Sequence, residues 1–181
     1  MLCNITQISA QWEAPVSHPW EIKGYYNPSL IGIKDQISTA AIYRYQWAGI
    51  ENFPQRAIIT ADMPFEFLQR KHGAGIVASA EITGSLRNTL IAAQYNFKQP
   101  LGRGILNIGL QAGIYNLEYD AGSLKLSSGT DQTAEQQIIV NTTDKQVPDL
   151  TAGVSWTANR FYAGLSIMHL NQPEFYAIPH T

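Results

Sequence analysis

The chain has 181 residues, enough for one domain with a single core, and its net charge of −2 excludes a basic surface for nucleic acids. Charged residues make up only 14% of the sequence, against about 25% in ordinary soluble domains, while the apolar fraction is an ordinary 45%. The sequence has no run of about 20 apolar residues, which excludes a membrane-spanning helix, and its single Cys excludes a disulfide framework and a cysteine-based zinc site.

The first ten residues end in Ile8-Ser9-Ala10, a small-residue sequence of the kind that signal peptidase cuts. A complete charged and apolar leader is missing from residues 1–10. We therefore interpret this stretch as the remnant of a signal peptide, with a mature start near Gln11. An ordinary frayed terminus is the alternative.

Residues 11–36 are expected to form neither a regular strand nor a regular helix, because they contain Pro15, Pro19 and Pro28. If the rest of the chain is a membrane barrel, we consider two locations for this segment. It is either a plug inside the barrel or a collar on the periplasmic side.

From residue 37 onward, apolar and polar residues alternate strictly, which predicts seven β-strands. The apolar residues do not recur at the spacing of an amphipathic helix. In the clearest strand, Leu106, Ile108 and Leu110 point to one side, opposite Asn107 and Gly109. We expect most strands to have about 9–11 residues, the length of a tilted strand that crosses a bilayer. The predicted strands are 37–47, 55–63, 73–82, 88–97, 104–117, 150–157 and 161–170.

The two faces of these strands differ in chemistry. One face is aliphatic and aromatic, and the other carries Gly, Ser, Thr, Asn and Gln with few charges. This combination predicts an all-β fold, an antiparallel up-and-down transmembrane β-barrel with a small-polar lumen. A soluble β-sandwich whose aromatic residues fill a core is the alternative. The aromatic residues expected in interfacial girdles are Tyr43, Tyr45, Trp47, Tyr95, Phe97, Trp156, Phe161 and Tyr162.

The connections support this interpretation. Two connections are short, residues 98–103 and 158–160, and one is long and polar, residues 118–149. If the strands alternate in direction, the two short connections lie on one side of the barrel and the long one lies on the other side. Short turns are typical of the periplasmic side and long loops of the exterior. Seven strands cannot close a bacterial barrel, so we interpret residues 37–181 as an incomplete barrel, about seven strands of a larger one.

No chemical site is predicted. The histidines His18, His72, His169 and His180 lack the spacing of a metal site, so we expect no metal and no cofactor. Ser166 and His169 are an odd number of residues apart and would lie on opposite faces of a strand, which argues against a nucleophile–base pair. We therefore assign no catalytic residue.

Charged residues near strand ends receive structural interpretations. Glu81 and Asp62 are expected on lumen faces as solvated strand-end charges, not general acids. Arg44 and Arg56 flank the first hairpin loop, and we expect them to form a lumen charge cluster with Asp62. We expect the main role of such a cluster to be stabilisation of the barrel, and selection of solutes in the pore to be a secondary role.

Glycines recur on the predicted lumen face without forming a phosphate loop, since no helix follows them. We expect these positions to allow tight curvature or the close approach of a lumen plug. They are Gly73, Gly75, Gly109 and Gly113.

Three short motifs in this order resemble the PorP/SprF family of outer-membrane proteins. They are Asn27-Pro28, the box Arg44-x-Gln46-Trp47-x-Gly49-Ile50, and His169-Leu170-x-Gln172-Pro173. The resemblance extends from about residue 11 to residue 173. That family belongs to the type IX secretion system of the Bacteroidota, which is tied to gliding motility.

The resemblance implies an outer-membrane protein that is not an enzyme and that helps export or anchor cell-surface proteins such as adhesins. The partners that it implies are other type IX secretion subunits, secreted surface cargo and outer-membrane lipid. Two alternatives remain open: a general outer-membrane channel or hydrophobic-solute transporter, and a soluble β-sandwich ligand-binding module.

Overall fold

A computed structural model describes residues 19–45, 53–84, 86–119 and 145–171. These residues form one antiparallel sheet in which each strand pairs with the next along the chain, an up-and-down half-barrel. The all-β prediction is confirmed. The strands are β1 (Ser38–Tyr45), β2 (Gln55–Phe67), β3 (Arg70–Thr83), β4 (Leu86–Leu101), β5 (Gly104–Tyr119), β6 (Lys145–Thr157) and β7 (Tyr162–Ile167).

A short N-terminal region precedes the sheet. It contains the one-turn helix α1 (Lys23–Tyr26) and the 3-10 turn η1 (Pro28–Leu30). We call residues 19–36 the N-terminal segment. Within the described ranges, no helix is long and apolar enough to cross a membrane.

The strands from β2 to β6 have 13 to 16 residues, so the expected length of 9–11 was too short. The alternating apolar pattern ends before the strands do, because backbone pairing continues through polar residues beyond the apolar region. In β2 and β3 the extension reaches a tight turn at Leu68 and Gln69, both with positive φ, as a two-residue hairpin turn requires.

The last strand is shorter than predicted. β7 ends at Ile167 and not at residue 170, because His169 adopts a φ of +54° and leaves the regular ladder. The chain then rejoins β6 through a hydrogen bond from Leu170 N to Leu150 O at 2.7 Å. β1 is described as far as Tyr45, and the rest of its predicted range, including Trp47, lies outside the described residues.

The two faces of the sheet are the reverse of those in a water-soluble protein. The inner face, which the N-terminal segment covers, buries its polar side chains to 2% exposure or less; these are Asn96, Asn107, Gln111, Asp149, Thr151 and Ser155. The outer face exposes its aliphatic side chains by 57–68%, as at Ile59, Ile76, Ile91, Leu110, Ile114 and Leu165. A β-sandwich would bury its aliphatic face, whereas an exposed aliphatic face opposite a polar one is the arrangement of an outer-membrane barrel.

Charged side chains border the apolar part of the outer face. Arg87 and Glu118 form an ion pair of 3.9 Å at one end, and Arg70 lies over the Phe97 ring beside Gln99 at the other. Arg87 and Gln99 are about 40 Å apart along β4, which spans about 30 Å at a strand tilt of about 40°. This height matches the hydrocarbon core of a bilayer.

Aromatic residues gather at the two ends of the outer face. Phe65, Tyr95 and Phe97 surround a buried His72 near the β2–β3 turn, where the His72 Nδ1 and Tyr95 hydroxyl are 2.8 Å apart. Tyr43, Tyr45 and Phe53 lie together at the opposite end. Tyr162 does not belong to an outer girdle, because β7 turns its side chain inward, 4.9 Å below the Lys23 Nζ.

A charge in the middle of the outer face is expected to prevent stable insertion. Ile91→Lys should lower the free energy of unfolding in a lipid bilayer by about 2–4 kcal/mol, whereas Leu101→Lys at the end of the same strand should lower it by about 0–1 kcal/mol. Denaturant titration in liposomes measures both values. Equal losses for the two variants would contradict a lipid-facing band.

Candidate functional site

The N-terminal segment lies across the inner face and is held mainly through its main-chain carbonyls. Gln94 Nε2 donates to the Gly24 carbonyl at 2.7 Å, and Ser166 Oγ donates to the Tyr26 carbonyl at 2.7 Å. Strand side chains therefore bind the backbone of the segment.

Two further residues of β4 hold the far end of the segment. Asn96 Nδ2 donates to the carbonyls of Ser29 and Ile31, each at 2.9 Å, and Lys98 Nζ donates to the Gly32 carbonyl. Gln94, Asn96 and Lys98 share one face of β4 because they alternate with outward-facing residues.

The segment is preorganised by the turn at Asn27, Pro28 and Ser29. Asn27 Oδ1 accepts hydrogen bonds from Ser29 N at 3.0 Å and from Ser29 Oγ at 2.7 Å. Pro28 occupies the first position of η1, where its missing N–H costs nothing. The turn is tied to the sheet by a 2.8 Å hydrogen bond between the hydroxyls of Ser29 and Ser155.

Glycines on the inner face let this turn approach the sheet. A Cβ on Gly109 would lie 2.1 Å from Ser29 N, and one on Gly153 would lie 2.1 Å from Asn27 Oδ1. The close approach expected at Gly109 is thus confirmed, as it is at Gly73, which faces the Ile31 carbonyl.

Gly113 and Gly75 differ from those positions. A Cβ on Gly113 would meet Ala92 of the neighbouring strand, and one on Gly75 would meet Ala61 and the side chains of Gln94 and Asp62. These two glycines accommodate the sheet and its own side chains.

A small apolar patch anchors the start of the segment. Ile22 and Tyr25 are 1% and 4% exposed, and they pack against Ile58, Val77 and Leu90 on the inner face. Burial of two such side chains contributes about 3–6 kcal/mol in total. The patch supplies affinity, and the polar contacts set the position of the segment.

The predicted cluster of Arg44, Arg56 and Asp62 is confirmed only for the two arginines, which lie opposite each other in the register of β1 and β2, and it is wrong for Asp62. Arg56 donates to the Tyr25 hydroxyl at 2.8 Å and faces Glu81 at 4.0 Å. Asp62 lies about 20 Å further along β2, where it accepts the Gly32 N–H at 2.7 Å. Five residues of extended strand lie between Arg56 and Asp62, so the two side chains serve different ends of the segment.

Ser166 and His169 also depart from the predicted geometry. His169 is not part of β7, and its Nδ1 lies 2.5 Å from Asp149 Oδ1 on the inner face. The hydroxyl of Ser166 is engaged by Tyr26, as described above. The two residues are therefore held by different partners, and His169 lies beyond the end of β7, outside its alternation of faces.

The other predicted histidines are accounted for by position. His72 is buried among aromatic rings on the outer face, and His18 and His180 lie outside the described residues. In the part of the chain that the structure describes, no group of three His, Cys, Asp or Glu residues is placed to hold a metal.

Sequence patterns did not reveal the residues that hold the segment. Gln94, Asn96 and Lys98 belong to no motif that the sequence analysis identified. The available indication was the run of alternate amide and glycine positions on one face, which marks a polar surface without naming its partner.

An antiparallel strand meander with an apolar outer face and a polar inner face defines an outer-membrane β-barrel class of protein. The family model described as type IX secretion system membrane protein PorP/SprF matches residues 14–178. The chain therefore belongs to the PorP/SprF family, and it is a type IX secretion membrane component of the outer membrane. It matches no curated protein and no solved structure at a significant level.

A side chain at Gly109 is expected to displace the N-terminal segment. Overpacking costs about 1–3 kcal/mol, so Gly109→Ala should raise the labelling rate of a cysteine at position 29 by about 5–150-fold. The background is Ser29→Cys with Cys3→Ser, and the reagent is a membrane-impermeant maleimide on purified protein. Gly113→Ala is the matched control, since its Cβ meets β4 and not the segment; equal acceleration there would contradict the assignment.

Proposed function

We propose that this protein helps export or anchor cell-surface proteins, adhesins of gliding cells among them, by binding and without catalysis. The observation that carries the proposal is the use of the inner face. Its polar side chains hold a peptide main chain, as a component that handles polypeptides requires. Secreted surface proteins, other secretion subunits and outer-membrane lipid are the partners.

The filled inner face favours binding over diffusion of small solutes. Asn107, Gln111 and Thr151 are at most 2% exposed, and the N-terminal segment lies above the same strands. A diffusion channel needs such side chains in contact with water along a continuous path. We propose that residues 11–36 act as the plug of this lumen.

The hydrogen bonds around the nucleophilic residues also favour binding over catalysis. Ser166 donates its hydroxyl proton to a main-chain carbonyl, so its oxygen is oriented by a structural contact. A nucleophilic serine instead donates to a base that removes the proton.

Cargo is expected to meet the exterior side of the barrel. Hairpin turns at Leu68–Gln69 and Gly102–Arg103 lie at the end opposite to residues 118–149. The longer connection belongs outside the cell, so we assign the connection between Tyr119 and Lys145 to the external surface and the two hairpin turns to the periplasm. The expected loop of residues 118–149 was too long, because β5 ends at Tyr119 and β6 begins at Lys145.

Shortening the external loop tests this function. Replacing residues 121–143 by a short Gly/Ser linker, between the ends of β5 and β6, should abolish surface display of the adhesin and leave membrane insertion intact. Display is measured by antibody labelling of whole cells, and insertion by membrane fractionation. A Gly/Ser replacement of unchanged length separates the sequence of the loop from its length.

Two results would contradict the proposal. Unchanged display after both replacements would remove the loop from cargo handling, and loss of insertion would make it a folding element. Conductance of the purified wild type in a planar bilayer would favour the channel alternative.

A further inference from the structure

We infer that the inner face of β4 to β7 is a binding site for an extended main chain of the secreted protein, which replaces the N-terminal segment there. This inference rests on the proposed function, because it names the surface that the cargo occupies. Two observations support it. The inner face binds main-chain atoms, and it carries hydrogen-bond acceptors that the segment leaves unpaired.

The inner face recognises main-chain atoms and so accepts many sequences. Gln94, Asn96 and Ser166 donate to carbonyls of the segment, and Asp62 accepts one of its N–H groups. Every peptide presents these groups whatever its side chains are. A face built in this way suits a component that handles different secreted chains.

Hydrogen-bond acceptors on the same face remain unused. Asn96 Oδ1, Thr151 Oγ1 and Asp149 Oδ2 are buried and have no hydrogen-bond partner among the described residues. Buried polar atoms in proteins are normally paired, so three such atoms on one surface indicate a ligand with further donors.

The N-terminal segment leaves those three atoms unpaired, and within α1 and η1 it directs N–H groups to its own acceptors. Tyr25 N donates to Ile22 O, Asn27 N donates to Lys23 O, and Leu30 N donates to Asn27 O. Ser29 N is taken by the Asn27 side chain. An extended chain makes no such internal bonds and directs its N–H groups outward to neighbours.

The shape of the face limits the occupant to a thin chain. Gly109 and Gly153 sit directly beneath the turn, and even a Cβ at either position would overlap it. The occupant therefore places its main chain over these glycines and turns small, uncharged residues toward β5 and β6. The chemical class is an extended peptide rich in Gly, Ala, Ser or Asn.

A disulfide between positions 29 and 155 tests whether the segment must leave. The two hydroxyl oxygens are 2.8 Å apart, so Ser29→Cys with Ser155→Cys should cross-link after a small adjustment, in a Cys3→Ser background. The probe is a fluorescent, uncharged synthetic peptide rich in Gly, Ala, Ser and Asn, added to the purified full-length chain. We expect saturable binding to the reduced protein and loss of binding to the oxidised protein.

Binding of the peptide that is equal in both redox states would overturn the inference, because the peptide would then occupy another surface. Absence of binding in both states would overturn it as well, because the segment would not be exchangeable. The parent carrying Cys3→Ser alone, with and without reductant, controls for effects of the reductant itself.

The same cross-link in cells separates this inference from the proposed function. We expect oxidation to abolish adhesin display in the double-cysteine strain and reductant to restore it. Display that survives the cross-link but is lost on shortening the external loop overturns the inference and leaves the proposed function standing. Display that survives both changes overturns both.

Discussion

Buried amide side chains need hydrogen-bond partners, and most of the inner architecture follows from that requirement. Each unpaired buried polar group costs about 1–3 kcal/mol. The central strands have an apolar outer face and carry their amide side chains on the inner face, so Asn96, Asn107 and Gln111 all point to one side. The carbonyls of the N-terminal segment satisfy part of this demand, with Asn96 alone serving two of them. The segment is thus a structural component of the sheet that it covers.

Shape and hydrogen bonding act on the same strands. The inner face carries glycine at Gly109 of β5 and Gly153 of β6, so the turn at Asn27–Ser29 lies within hydrogen-bond distance of Ser155. With larger residues at Gly109 and Gly153, the segment would be held away from the sheet and the amides of β4 would lose their partners. The amide side chains can therefore bind the segment only because the glycines let it approach the sheet.

Strand direction and face assignment could be predicted from the sequence, because alternation is a local property. The split between Asn107 and Ile108, or between Gln94 and Tyr95, agrees with the structure. The ends of the strands could not be predicted in this way. For example, Leu68 and Gln69 adopt positive φ at a turn that no glycine marks in the sequence. The Arg56–Tyr25 and Asn96–Ser29 contacts could not be predicted either, because they join residues far apart in the chain. Alternation shows that a face is polar but carries no information on what covers it.

The balance of forces at the inner face permits exchange of its occupant. Each polar contact contributes a net of only about 0.5–1.5 kcal/mol, because it replaces hydrogen bonds that both groups would otherwise make to water. The apolar patch of Ile22 and Tyr25 adds about 3–6 kcal/mol, and the covalent connection acts as an effective concentration in the millimolar range. An incoming chain lacks the connection but can use the acceptors at Asn96, Asp149 and Thr151 that the segment leaves unpaired. Those unused acceptors are what allow a second peptide to compete with a tethered one.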